Sequence, residues 1–251
     1  MIKPAFAKTR RTLLLGLLTS LIGLPAVAQQ AREEAGIRVR CLAFVIGAQP
    51  PPEVYAFNPA KKDAGSVKLE VKTFLNHQAE TLPDGTQNLL LTTDPDPSST
   101  LIQEKLVAKA TLPDGARSVI LLFVPGTGKA GDLPYRIFVV DDTRKAFPEG
   151  SLMVLNMSPT EVRFQLDEKD LRFKKGTTNL VKELDAGPDN LIDMRAFCRI
   201  GPGNAAKDWK RIAAARWAPP GKKRVFQVLF LDPVSQEIQL RGFTDVAKVV
   251  R

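Results

Sequence analysis

Two-residue alternation is the strongest periodic signal along this chain. In Ser66-Val67-Lys68-Leu69-Glu70-Val71-Lys72 the apolar side chains fall on one side and the charged ones on the other, the pattern of a strand with one buried face. Glu161–Leu166 and Gln236–Arg241 repeat it. Other short runs, Ser118–Val124, Tyr135–Val140 and Val225–Leu231, are apolar almost throughout, which predicts central strands of a packed sheet. Turn residues punctuate these runs. Thr81-Leu82-Pro83-Asp84-Gly85 and Thr111-Leu112-Pro113-Asp114-Gly115 are identical pentapeptides in which proline presets φ and glycine takes the left-handed position. Both are expected to cap hairpins. Their flanks do not match, so shared turn chemistry explains them better than an internal repeat. Many short strands with regular breaks predict an all-β fold, an antiparallel β-sandwich in two Ig-like halves. The polar, turn-forming stretch Asp141–Gly150 divides the halves, into residues 29–145 and 146–251.

Residues 204–217 resist this reading, because they are rich in helix formers. Yet Trp209, Arg211, Ala213, Ala215 and Trp217 also share one strand face, and Pro219-Pro220-Gly221 turns straight into the next apolar run. A strand over about 211–218 is the expectation.

The N-terminus has a different character. Met1–Arg11 is basic, Thr12–Leu24 is almost wholly apolar, and Leu24-Pro25-Ala26-Val27-Ala28 ends in a small-x-small triplet. These are the zones of a secretory signal, with cleavage expected after Ala28. The apolar stretch is too short to cross a bilayer, and no later segment approaches spanning length. The mature protein is therefore expected in the periplasm or outside the cell. Export changes the meaning of the two cysteines, Cys41 and Cys198, both within apolar, strand-like runs. In an oxidising compartment one disulfide is their simplest use; two separate buried thiols are the alternative.

Part of the chain is similar to something known. Tyr135-Arg136-Ile137-Phe138-Val139-Val140-Asp141-Asp142, then Phe147-Pro148-Glu149-Gly150-Ser151-Leu152, then Val162-Arg163-Phe164-Gln165-Leu166, with Arg216-Trp217 and the run at 225–231, resembles a module of uncharacterised exported bacterial all-β proteins. That resemblance implies structure and no activity. In it Gly150 starts a strand, and Asn156, Ser158 and Pro159 form the bend that follows.

Composition narrows the chemistry. The chain has 251 residues, 44% hydrophobic and 25% charged, enough to bury a core without any cofactor, and none is expected. Its single histidine, His77, excludes histidine-rich zinc sites and paired-imidazole mechanisms, and no metal site is expected. No Gly-x-Ser-x-Gly elbow accompanies it. Phe123-Val124-Pro125-Gly126-Thr127-Gly128-Lys129 lacks both the first glycine and the final hydroxyl of a phosphate-binding loop. Carboxylates cluster at Asp94 with Asp96, at Asp141-Asp142, and at Asp167-Glu168 with Asp170, so a carboxylate-dependent glycan hydrolase stays open as an alternative.

The net charge of +9 is uneven, since the leader holds four cations and residues 195–251 hold 12 basic against 4 acidic side chains. Arg195, Arg199, Lys207, Lys210, Arg211, Arg216, Lys222, Lys223 and Arg224 are interleaved there with Trp209 and Trp217. Within that set Trp209, Arg211, Arg216, Trp217, Lys222, Lys223 and Arg224 are the candidate binding residues, suited to an anionic envelope polymer or an envelope protein partner, not to nucleic acid, or to a carbohydrate-binding module using the two indoles. In the plainer reading the tryptophans pack in the core and the charges keep an edge soluble. The reading favoured is an exported, non-catalytic binding or structural protein.

Overall fold

Side chains buried on both faces of a strand need a layer of protein on each side, and the apolar runs at 118–124 and 225–231 occupy such positions, whereas Tyr135–Val140, expected as a central strand, ends its sheet with Val140 alone fully buried. The computed structural model describes residues 36–246 except 48, 62–64, 185 and 204; the expected leader lies outside the described residues. The described residues are all-β, with sixteen strands in three sheets. The first sheet runs β6(Leu106–Thr111), β5(Asn88–Thr92), β2(Glu53–Phe57), β3(Ser66–Lys72), β1(Ile37–Ala43), β7(Ser118–Pro125), β8(Tyr135–Asp141), with β4(Glu80–Leu82) also paired to β1. The second is β12(Thr178–Val181), β9(Leu152–Asn156), β15(Lys223–Leu231), β16(Ile238–Val246). The third is β11(Lys169–Phe173), β10(Val162–Leu166), β13(Ile192–Arg199), β14(Trp209–Trp217). Among the described residues, no helix is long and apolar enough to cross a membrane.

The first sheet curls until its edge strands β6 and β8 meet, giving a nearly closed barrel. Val39, Cys41, Leu69, Leu91, Val119, Leu121 and Phe123 fill its interior. The alternate residues of β1 and β7, Leu42, Phe44, Ile120, Leu122 and Val124, point outward onto Met153, Leu155, Phe226, Val228 and Phe230 of the second sheet. The opposite face of that sheet, through Leu152, Val154 and Leu229, meets Val162, Phe164, Ala196 and Cys198 of the third. The second sheet is thus the middle layer. The third has one face in water, which is why β10 alternates.

Several expectations need correction. Residues 37–141 form one curled sheet and not two facing ones, so this half is no Ig-like sandwich. The sheets are also not purely antiparallel. β1 pairs parallel with both β3 and β7, and β9 pairs parallel with β15. Strands covered on both faces suit parallel pairing, and partners far apart in sequence can arrive from either direction. The two Pro-Asp-Gly turns do form, with Gly85 at φ 72° and Gly115 at φ 69°. They cap no hairpins, because β4 pairs with β1 while β5 pairs with β2 and β6, and β7 pairs with β1 and β8. The turns instead lie side by side, joined by Leu112 N to Gln87 O and by Gln87 Nε2 to Asp114 Oδ1.

The expected disulfide is absent. Cys41 and Cys198 are free, buried thiols. Cys41 lies inside the barrel and Cys198 between the middle and outer sheets, so a whole layer separates them. Packed sheets stand about 10 Å apart, beyond the ~4.4–6.8 Å Cα separation that a bridge spans. Burial pushes both thiols up, Cys41 well above its ordinary value.

A glycine opens the approach to β9 and an asparagine organises the bend after it. Gly150 adopts φ 76°, and its N–H donates to Lys223 O at 2.8 Å. The buried Asn156 amide donates to Thr160 O (2.9 Å) and Phe173 O (2.8 Å), while its oxygen accepts from Ser158 N (3.0 Å) and Oγ (2.6 Å).

Candidate functional site

β14 is the strand that the uncertain segment forms, entered through a short 3₁₀ turn at Ala206–Asp208. Its pairing with β13 slips between Ala196 and Phe197, because Ile212 is an extra, bulged residue. Bulges reverse the alternation beyond them. Trp209 and Trp217, expected on one face, therefore point opposite ways. Trp217 packs into the core with Ile192, whereas Trp209 lies on the outer side among guanidinium groups. Arg163 stands 4.9 Å and Arg172 5.6 Å from the Trp209 ring, and Arg163 also covers Phe197 at 4.8 Å. Trp209 is only 7% exposed.

The same register collects arginines. Val162, Phe164, Phe173, Ala196 and Cys198 point inward, so the alternate positions Arg163, Arg172, Arg195 and Arg199 point outward, joined across the bulge by Arg211 and Arg216. Four acids pair with these arginines, Asp189 also binding Arg216. Glu161 holds Arg199 at 3.0 Å, Asp193 holds Arg216 at 2.9 Å, and Asp170 lies 3.8 Å from Arg163. Arg195 and Arg211 are exposed and have no ion-pair partner among the described residues. An open groove of about 580 Å³ at one end of the face adds Lys174 and Lys175 beside Arg172 and Arg199. Arginine's planar fork suits the paired oxygens of carboxylate, sulfate or phosphate.

The other candidate residues scatter. Lys222 and Lys223 are exposed at the turn into β15, and Lys210 pairs with Glu237 at 3.2 Å on the surface. Arg224 is buried, and it belongs to an arrangement that reading the sequence missed. Arg40 of β1 donates to Asp142 through Nε (2.9 Å) and Nη2 (2.7 Å), to Asp245 through Nη2 (3.0 Å), and to Leu75 O through Nη1 (2.6 Å). Arg224 closes the ring, 3.1 Å from Asp142 and paired with Asp245, its guanidinium 4.7 Å over the Phe147 ring. All four side chains are buried, and their charges sum to zero. Burial pushes the Asp245 carboxyl up, but hydrogen bonds and charge from Arg40 and Arg224 outweigh it and hold it below the ordinary carboxylate range. The available signal was Arg40, set in the apolar run Val39-Arg40-Cys41-Leu42.

Above the ring opens a cleft of about 660 Å³. His77 lies in its wall, its Nδ1 3.1 Å from Gln78 O and its Nε2 buried without a partner among the described residues. Burial pulls His77 below its ordinary pKa, helped by the charge of Arg40 and opposed by the Gln78 carbonyl.

The acidic clusters serve as caps and pairs. Asp94 accepts from Asp96 N (2.9 Å) and pairs with Lys105, while Asp96 accepts from Ser98 N (2.8 Å). Asp141 accepts from Thr143 N (2.9 Å), and Asp167 from Asp193 N (3.0 Å). The Lys105 hydrogen bond draws Asp94 down, and Ser98 does the same for Asp96. A glycosidase acid needs the opposite shift. Among the described residues, no three His, Cys, Asp or Glu side chains converge as a metal site.

No protein-family model matches the chain, and comparison with characterised proteins finds no relative.

Proposed function

We propose that this protein is an exported, non-catalytic binding module of the cell envelope, and that the outward face of the β11-β10-β13-β14 sheet holds an anionic polymer. One observation carries the reading: six arginines share one solvent-facing sheet surface, and two of them, Arg195 and Arg211, are unpaired among the described residues. A sheet that needed only solubility would mix both charges evenly and would not align guanidiniums over Phe197 and Trp209. The acidic clusters spent on caps and ion pairs favour binding over hydrolysis. The common core of the middle and outer sheets supports reading β9–β16 as a β-sandwich. Residues 135–231, as a module resembling those of exported bacterial all-β proteins, belong to the same proposal.

The test is affinity electrophoresis and calorimetry with a polyuronate, a sulfated glycan, a neutral glucan and single-stranded DNA. Binding to the charged glycans, weakening with salt and reduced about ten-fold or more by Arg195→Glu with Arg211→Glu, is the expected result. Equal retention by the neutral glucan, indifference to the double substitution, or preference for DNA would overturn it.

A further inference from the structure

The cleft above the buried ring belongs to a different part of the molecule from the arginine face. Its floor is electrically closed, since Arg40 and Arg224 are neutralised by Asp142 and Asp245. The rim is not. Arg38, at the start of β1, and Arg144, in the loop after β8, line the opening, are exposed, and have no ion-pair partner among the described residues. Glu149 is the one remaining carboxylate at the rim. The neutral groups there add donors. Asn76 uses its oxygen to accept from Val246 N at 2.6 Å, which leaves its NH₂ to donate, and the Ser118 hydroxyl stands beside it in the lining. A carbonyl can only accept, so His77 carries its proton on Nδ1 toward Gln78 O, and Nε2 keeps a lone pair with nothing donating to it. The volume falls within the range of small-ligand sites, ~300–1,000 Å³.

We propose that this cleft binds a small oxyanion, a phosphate or carboxylate group, between Arg38 and Arg144. Charge selects the ligand: two free cations face one carboxylate over a neutral floor, and the Asn76 amide and Ser118 hydroxyl can donate. The planar fork of each guanidinium matches the oxygens of either group.

The single histidine supplies a direct reporter, because the ring signal of His77 in the untagged mature protein arises from the cleft wall. Inorganic phosphate and acetate are titrated separately by NMR at constant ionic strength, with chloride as the control. The expected result is a saturable His77 shift with one of the two anions, near the ~1 mM Kd that two charge-assisted contacts support. Whichever saturates identifies the chemistry. Arg38→Ala and Arg144→Ala each weaken that binding about ten-fold, while Arg211→Ala on the outer sheet leaves it unchanged. Both rim arginines are exposed, so the variants keep the fold, which circular dichroism verifies. No saturation by ~10 mM of either anion, or equal shifts in the rim variants, would overturn the assignment.

Discussion

Replacing Asp245 with alanine removes one carboxylate from a ring of four buried charges and leaves it with a net charge of +1. Nη2 of Arg40 and Nη2 of Arg224 both lose the Asp245 oxygen they share, and both belong to buried side chains on the floor of the cleft. Breaking a buried ion pair from one side costs about 3–5 kcal/mol, because the remaining charge stays desolvated. In a protein of this size that lowers Tm by roughly 6–20 °C. Urea unfolding measures it as a lower midpoint at unchanged slope. The sign of the pH dependence follows from the depressed pKa of Asp245. A carboxylate whose folded pKa lies below its unfolded value of about 3.9 contributes stability that is complete above that pH and lost as the pH falls through the folded pKa. The gap between wild type and Asp245→Asn is therefore full at neutral pH and closes below about pH 4. Replacing all four members by Met and Leu restores most of the loss, since apolar groups of similar volume carry no desolvation penalty. A loss under ~1 kcal/mol on Asp245→Ala would mean that water reaches the ring and that it behaves as a surface pair, refuting the account.

Other outcomes follow from single sites. Neither Cys41 nor Cys198 reacts with a thiol reagent in the native state, and both react on unfolding without reductant; a protected, oxidised pair would contradict the layered placement of the two sulfurs. Gly150→Ala puts a Cβ 3.1 Å from Gly221 O at φ 76°, and should cost about 1–2 kcal/mol in thermal unfolding, whereas Gly115→Ala, at φ 69° with open space around it, should cost less. Asn156→Ala strips two carbonyls and Ser158 of their partners inside the bend after β9 and should cost about 3 kcal/mol by the same measurement.

Much of this protein was legible from the spacing of its side chains. Strict alternation in Val162–Leu166 told that one face of β10 is wet, and the apolar runs of β7 and of β15 from Val225, broken only by Gln227, told that both of their faces are dry. Those readings depend on local periodicity alone, as do the Pro-Asp-Gly turns and the strand at β14. The sequence also carried the basic bias of the last quarter, including four of the six arginines on the outer face.

What it could not convey is which strands become neighbours. β1 receives β7 some eighty positions later and in the same direction, a choice made by burying Leu42, Phe44, Ile120 and Leu122 together against the middle sheet. That pairing keeps Cys41 from Cys198, and one bulged residue, Ile212, turns Trp209 away from Trp217. Asp142, Arg224 and Asp245 each look like an ordinary solvated charge in the one-dimensional chain, and Arg40, odd within its apolar run, names no partner. Only when the barrel and the middle sheet close over them does the loss of water force four distant charges into one neutral ring, and the cleft exists because that closure stops at the ring.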